Sequence, residues 1–62
     1  MMKRAIEVKS GDKMMVTMGF GKFDVKVISN ELNGIKCNIK YIGVDNNVHS
    51  MNVTKMCLVE IA

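Results

Sequence analysis

Evenly spaced lysines in two neighbouring segments carry the positive charge that phosphate contacts require. Lys22 and Lys26 lie in the first segment, and Lys36 and Lys40 lie in the second. Side chains of a β-strand point alternately to two faces, so positions separated by an even number of residues share a face. Positive charges bind phosphates, and a ring beside them can stack on a base. We therefore expect a nucleic-acid-binding face formed by these lysines, with Phe20 as the stacking residue; a merely solvated lysine face is the alternative.

The sequence offers no clear constellation for catalysis or for metal binding. A structural zinc site needs four ligands, usually with a close Cys or His pair, and Cys37, His49 and Cys57 are too few and too scattered. A Cys–His dyad needs an activated thiolate, and neither cysteine lies near an evident helix start. Both cysteines are expected to be reduced and buried. We predict no catalytic residues, no enzyme activity, no metal and no cofactor.

Composition indicates one small globular domain. The chain has 62 residues, of which 48% are hydrophobic and 24% charged, and its net charge is +3. No apolar run approaches the roughly 18 residues of a membrane span, and Glu7 and Lys9 interrupt any secretory signal after the basic start. We expect a cytoplasmic protein without membrane contact. So short a chain has a small core and marginal stability, which leaves a homodimer open.

The lysines lie on segments with the alternation of half-buried β-strands. Phe23, Val25 and Val27 alternate with charged residues, and a longer apolar series alternates from Ile35 to Tyr41. Glycine-containing turns separate these segments from further short strands at 13–18, 48–52 and 57–61. The residues 4–8 alternate as well and predict a short first strand. Five or six short strands of this kind predict a small antiparallel β-barrel, with one 3-10 turn before the last strand.

The register of the second hairpin follows from matching its apolar faces. A three-residue loop at 32–34 sets Val27 opposite Ile39, with Gly34 in the left-handed position of a bulged turn. The same register sets Val25 opposite Tyr41. A two-residue turn would mix apolar and charged faces. The three-residue loop also predicts that the two central lysines of the stripe, at positions 26 and 40, stand opposite each other.

The order of these elements resembles the SH3-like barrels, and within them the Tudor and KOW-type modules. The resemblance covers roughly residues 10–61. It is carried by Gly11-Asp12, Gly21-Lys22-Phe23, Val25-Lys26-Val27-Ile28, Ile39-Lys40-Tyr41 and the segment from Val53 to Leu58. It implies an SH3-like barrel over residues 10–62, preceded by a short strand or arm at 1–9.

The resemblance also implies a habit of binding nucleic acid or protein without catalysis. Tudor domains that read methylated side chains use a cage of several aromatic rings. This sequence has only Phe20, Phe23 and Tyr41, and the last two fall on the inward face. Reading of methyl-lysine is therefore not expected.

Two functions follow as expectations. The first is a small binding module that contacts DNA or RNA, or a nucleic-acid-processing complex, through the lysine face. The second is a protein-interaction or inhibitory accessory protein of the phage-like type. It would dock on a larger partner through exposed Met18, Ile28 and Ile42, because the apolar residues outnumber the positions of one small core.

Overall fold

The computed structural model describes residues 1–19 and 21–62, with every side chain in these ranges except that of Met18. Within these ranges the chain forms six β-strands and one 3-10 helix. In chain order the elements are β1 (Met2–Arg4), the 3-10 helix (Ala5–Glu7), β2 (Lys13–Met18), β3 (Gly21–Asn33), β4 (Lys36–Ile42), β5 (Val48–Thr54) and β6 (Leu58–Glu60).

The strands form two antiparallel sheets. Four of them follow the order β2-β3-β4-β5, and β1 pairs with β6 in a separate two-stranded sheet. A bridge between Met14 and Ile61 joins the sheets, and the N–H of Ala62 donates to the carbonyl oxygen of Lys13 at 2.8 Å. The predicted all-β antiparallel class is thus confirmed, whereas the strands do not close into the single barrel that was predicted.

β3 is long enough to belong to two hairpins. Its first half pairs with β2 and its second half with β4. Between Val27 and Ser29 the register shifts at a β-bulge. A bulge bends its strand and increases the local twist, so the four-stranded sheet curves around the core at Ile28.

The predicted register of the second hairpin is wrong, because both the turn and the bulge differ from the expectation. Val27 stands opposite Tyr41, and Lys26 stands opposite Ile42 rather than Lys40. The connection is a two-residue turn at Gly34 and Ile35, with Asn33 opposite Lys36 and Gly34 at φ 65°. It is neither the expected three-residue loop nor the two-residue turn at Asn33-Gly34 that was weighed against it. Such a turn does shift the faces by one residue, but the extra residue of the bulge shifts them back.

The N-terminal segment packs into the core through a 3-10 helix, Ala5–Glu7, where a short strand over residues 4–8 was predicted. Arg4 donates its N–H to the carboxylate of Glu7 at 3.0 Å, and Val8 donates to the carbonyl oxygen of Ala5 at 3.2 Å. The predicted 3-10 turn before the last strand is instead a turn closed by the N–H of Cys57 on Thr54 at 2.9 Å. The core consists of Ala5, Val8, Met14, Val25, Val27, Cys37, Ile39, Val59 and Ile61.

Asn30 fastens the N-terminal segment to the sheet. Its position beyond the bulge places it opposite the buried Ile39. Its Nδ2 donates to the carbonyl oxygens of Ala5 at 2.8 Å and Val8 at 2.7 Å. Its Oδ1 is buried and accepts no hydrogen bond from the described residues. One polar side chain therefore satisfies backbone groups that the 3-10 helix leaves without strand partners.

Candidate nucleic-acid interface

The four predicted lysines come from the two central strands of the four-stranded sheet. Lys22 and Lys26 lie on β3, and Lys36 and Lys40 lie on β4. All four are exposed, and the core residues of these strands occupy the intervening positions. The structure places them together on the face of this sheet that points away from the core, which we call the outer face.

A fifth lysine, which sequence reasoning missed, belongs to the same face. Lys13 on β2 is exposed and stands directly opposite Lys26. On its other side Lys26 stands opposite Ile42 of β4. Lys40 lies two residues from Ile42 along β4, so it occupies the next row of side chains on the outer face. Only the second hairpin was aligned from the sequence, so the position of Lys13 opposite Lys26 was not predicted.

Three lysines of the outer face lack a counterion among the described residues. Like charges directly opposite on a sheet are destabilising. Among the described residues no carboxylate forms an ion pair with Lys13, Lys26 or Lys40. The outer face does carry Asp24 and Glu31, opposite Met15 and Asn38. Five lysines against two carboxylates still leave this face positive.

Lys22 differs from the other lysines because it has a partner. Its Nζ lies 3.4 Å from Oε1 of Glu60 on the second sheet. Both side chains are about half exposed, at 58% and 43%, and an exposed pair of this kind contributes little stability. Lys22 is therefore the member of the predicted set whose charge is already partly compensated.

The remaining predicted contact residues are less favourably placed or fall outside the description. Phe20, the expected stacking residue, lies outside the described residues, and so does the side chain of Met18. Ile28 and Ile42 are half-buried rather than exposed, because the bulge curves the sheet between them. The prediction that they form an exposed apolar patch is therefore wrong.

Exposed apolar side chains gather instead at one end of the molecule. The N–H of Lys55 donates to the carbonyl oxygen of Ile35 at 2.8 Å, and the N–H of Ile6 donates to that of Lys55 at 3.0 Å. These bonds bring the 3-10 helix, the β3–β4 turn and the β5–β6 connection together. The apolar end, as we call it, exposes Ile6, Leu32, Ile35, Met56 and Leu58.

A cluster of polar side chains lies at the β4–β5 loop. Nε2 of His49 donates to the Asp45 carboxylate at 2.9 Å, and the His49 ring stacks on Tyr41 with centroids 5.8 Å apart. Gly43 is buried beneath this ring, and a Cβ there would lie 2.7 Å from Cδ2 of His49. Because Gly43 has no side chain, the His49 ring can pack directly against the loop backbone.

We expect His49 to control the acidity of Asp45. The hydrogen bond from His49, followed by that from the N–H of Asn47, lowers the pKa of Asp45 from 3.8 to about 2. Because this pKa is depressed on folding, its contribution to stability is present above pH 3.8 and is lost as the pH falls through about 2. Replacing His49→Ala should raise the pKa of Asp45 towards 3.8 in a carboxyl NMR titration.

The control for this titration is Asn47→Ala, which keeps the backbone donor and removes only the weaker side-chain donor. It should raise the pKa of Asp45 by less than His49→Ala does. A pKa that stays at about 2 without the histidine would contradict the assignment.

The cysteines are free, but only one is buried. Cys37 lies in the core and Cys57 is exposed, so the prediction of two buried thiols is wrong. Cys57 precedes β6 in a turn and bonds through its backbone to Thr54 and Ala5, which leaves its side chain outside both sheets. In the described ranges no three His, Cys, Asp or Glu side chains come together as a metal site requires.

The fold and the surface define a small antiparallel all-β protein with a lysine-bearing sheet face. No pocket opens among the described residues, and none of their helical segments has the length and apolar character needed to cross a membrane. Comparison with protein-family models, curated proteins and solved structures finds no match to this chain. Its function therefore has to be inferred from its own surface.

Proposed function

We propose that this protein is a non-catalytic binding module that contacts the phosphates of DNA or RNA through its outer face. The observation that carries the proposal is the opposed pair Lys13 and Lys26, with Lys40 on the next row. Their mutual repulsion costs stability in the free protein. A phosphate placed between them supplies the negative charge that the described side chains do not, so the same feature favours the bound state.

The proposal includes an SH3-like arrangement of strands, of the kind found in Tudor and KOW-type modules. Five short antiparallel strands and a long, bulged β3 shared by two hairpins support it. The two sheets would then be the two parts of a partly open barrel, joined where Met14 meets Ile61. In that arrangement the outer face is the convex surface of the larger part.

Removing the opposed pair should weaken nucleic-acid binding and its dependence on salt. The double variant Lys13→Gln with Lys26→Gln removes two phosphate contacts, and each contact contributes about 0.9 to the slope of log affinity against log salt on duplex DNA. We expect the slope to fall by about 2 and the affinity at low salt to fall at least about tenfold. Fluorescence anisotropy with single- and double-stranded oligonucleotides of both types measures both quantities.

The matched control removes the same amount of charge elsewhere. Arg4 and Lys9 are exposed on the N-terminal segment, outside the strands that form the outer face. The variant Arg4→Gln with Lys9→Gln should keep most of the affinity. If the two double variants lose affinity equally, net charge rather than the outer face governs binding, and the proposal fails; it also fails if the wild-type protein binds no oligonucleotide at low salt.

The apolar end supports a second candidate, a protein-interaction or inhibitory module that docks on a larger protein. Ile35 is 65% exposed and Met56 is 54% exposed, and neighbouring exposed apolar side chains of this size mark interaction sites. Nuclease treatment separates the two candidates. A partner that survives nuclease and is lost with Ile35→Ser belongs to the second candidate, whereas partners that nuclease removes belong to the first.

A further inference from the structure

β5 is an edge strand whose outer side has no partner among the described strands. It is the last strand of the four-stranded sheet and pairs only with β4. Proteins protect such edges with proline, charged side chains or bulges. The chain contains no proline, β5 contains no Lys, Arg, Asp or Glu, and its ladder with β4 is regular throughout. This edge is therefore open to pairing with another strand.

The backbone groups that face this open edge can be identified. Both ends of the β4–β5 ladder are hydrogen-bonded pairs: Lys55 donates to Ile35 at 2.8 Å, and Gly43 donates to Asn47 at 2.9 Å. Bonded and non-bonded pairs alternate along an antiparallel ladder. Positions 49, 51 and 53 therefore bond to β4. The residues whose backbone groups point outward are Val48, Ser50, Asn52 and Thr54, and of these groups the carbonyl oxygen of Thr54 already accepts from the N–H of Cys57 at 2.9 Å.

We propose that β5 pairs with β5 of a second copy of this chain, antiparallel, about a two-fold axis at Met51. Val48 then stands opposite the partner's Thr54, and Ser50 opposite the partner's Asn52. In this register the outward groups of Ser50 and Asn52 are all paired, and the N–H of Thr54 meets the carbonyl oxygen of the partner's Val48. The carbonyl oxygen of Thr54 is held within the chain by the N–H of Cys57. A shift by one residue sets outward groups against inward ones, and a shift by two leaves end residues unpaired.

The side chains match across this axis as well as the backbone. Met51 and Val53 lie on the core side of β5, where they pack against the core. Met51 meets the partner's Met51, and Val53 meets the partner's His49. On the opposite side of the strand, Ser50 stands opposite the amide side chain of the partner's Asn52. Because β5 carries no acidic or basic residue besides His49, the pairing opposes no like charges.

This dimer goes beyond the proposed function and does not depend on it. It joins the four-stranded sheets of two copies into one continuous sheet. The two outer faces then lie side by side and form one larger surface with two sets of lysines. A homodimer with this geometry is isologous and closed, so it does not extend into a filament.

Sedimentation of the purified protein from micromolar to millimolar concentration tests the proposal. The mass should rise from 6.9 kDa towards twice that value. Ser50→Pro removes an outward N–H and leaves the β4 ladder intact, so it should weaken dimerisation at least about tenfold. Ser50→Ala keeps that N–H and should dimerise like the wild type. A protein that stays monomeric, or a dimer that Ser50→Pro leaves unchanged, overturns the proposal.

Cross-linking tests the register separately. In a Cys57→Ser background, Met51→Cys places two thiols opposite each other at a non-bonded pair, where Cα atoms lie about 4.5 Å apart, within the range of a disulfide. Air oxidation should yield a covalent dimer. Val53→Cys lies on the same side of the strand but faces the partner's His49, so it should not cross-link. The proposed two-fold axis at Met51 is contradicted if the two variants cross-link equally, or if Met51→Cys does not cross-link.

Discussion

Replacing Asn30→Asp should remove a large part of the protein's stability at neutral pH. The substitution removes the two donors that hold the carbonyl oxygens of Ala5 and Val8 and puts a half-buried carboxylate against them. Losing the donors and leaving a charge unpaired costs about 3–5 kcal/mol. The total free energy of unfolding of a domain of this size is about 3–9 kcal/mol. Urea denaturation followed by circular dichroism measures the loss.

The pH dependence of this variant distinguishes repulsion from simple loss of packing. Burial beside two carbonyl oxygens raises the pKa of the introduced carboxyl group, so the destabilisation grows as the pH rises through that value. Below it the protonated acid can donate to one carbonyl, and part of the stability should return. Asn33→Asp, on the exposed end of the same strand, is the control and should cost little at any pH. Equal effects of the two substitutions would show that Asn30 is not the fastening residue.

Replacing Ile39→Ala should have the next largest effect. Ile39 is fully buried at the centre of β4, between Asn30 on one side and Met51 on the other. Truncating a buried isoleucine costs about 2–5 kcal/mol, because apolar burial is lost and a cavity is left. In a protein with so small a core that cost lowers the denaturation midpoint severely. Thermal and urea unfolding measure it.

The same hairpin supplies the matched control. Ile35 lies in the β3–β4 turn and is 65% exposed, so Ile35→Ala removes the same atoms from a site that buries few of them. It should change stability by less than about 0.5 kcal/mol. If Ile35→Ala proves as costly as Ile39→Ala, the apolar end is covered in solution, which would point to self-association there.

The sequence pattern was sufficient to predict the all-β class and to predict that the four lysines share one face. Both predictions depend only on the alternation of side chains along a strand. Lys22 and Lys26 keep an even spacing on β3, and Lys36 and Lys40 keep it on β4. Alternation is a local property of a strand, and it survives changes in how the strands are aligned. The placement of these lysines away from the core therefore did not require the correct register.

The register could not be read because it depends on which residues form the turn and on a single extra residue in β3. The bulge after Val27 leaves no signature in residue type, and Ile28 looks like an ordinary strand residue. Beyond it, Asn30 takes an inward position that an apolar residue was expected to hold. Its side chain donates to the backbone carbonyl oxygens of Ala5 and Val8, which lie more than twenty residues earlier in the chain. Long-range hydrogen bonds of this kind are invisible to periodicity.

The pairing of β1 with β6 constrains how the protein can be made. These strands lie at opposite ends of the sequence, and Met2 stands opposite Glu60. A nascent chain leaves the ribosome N-terminal end first, so β1 waits without its partner until the sixth strand has followed. The four-stranded sheet can form earlier, since its hairpins join neighbours. Completion of the fold is thus a late event that both ends of the chain must reach together.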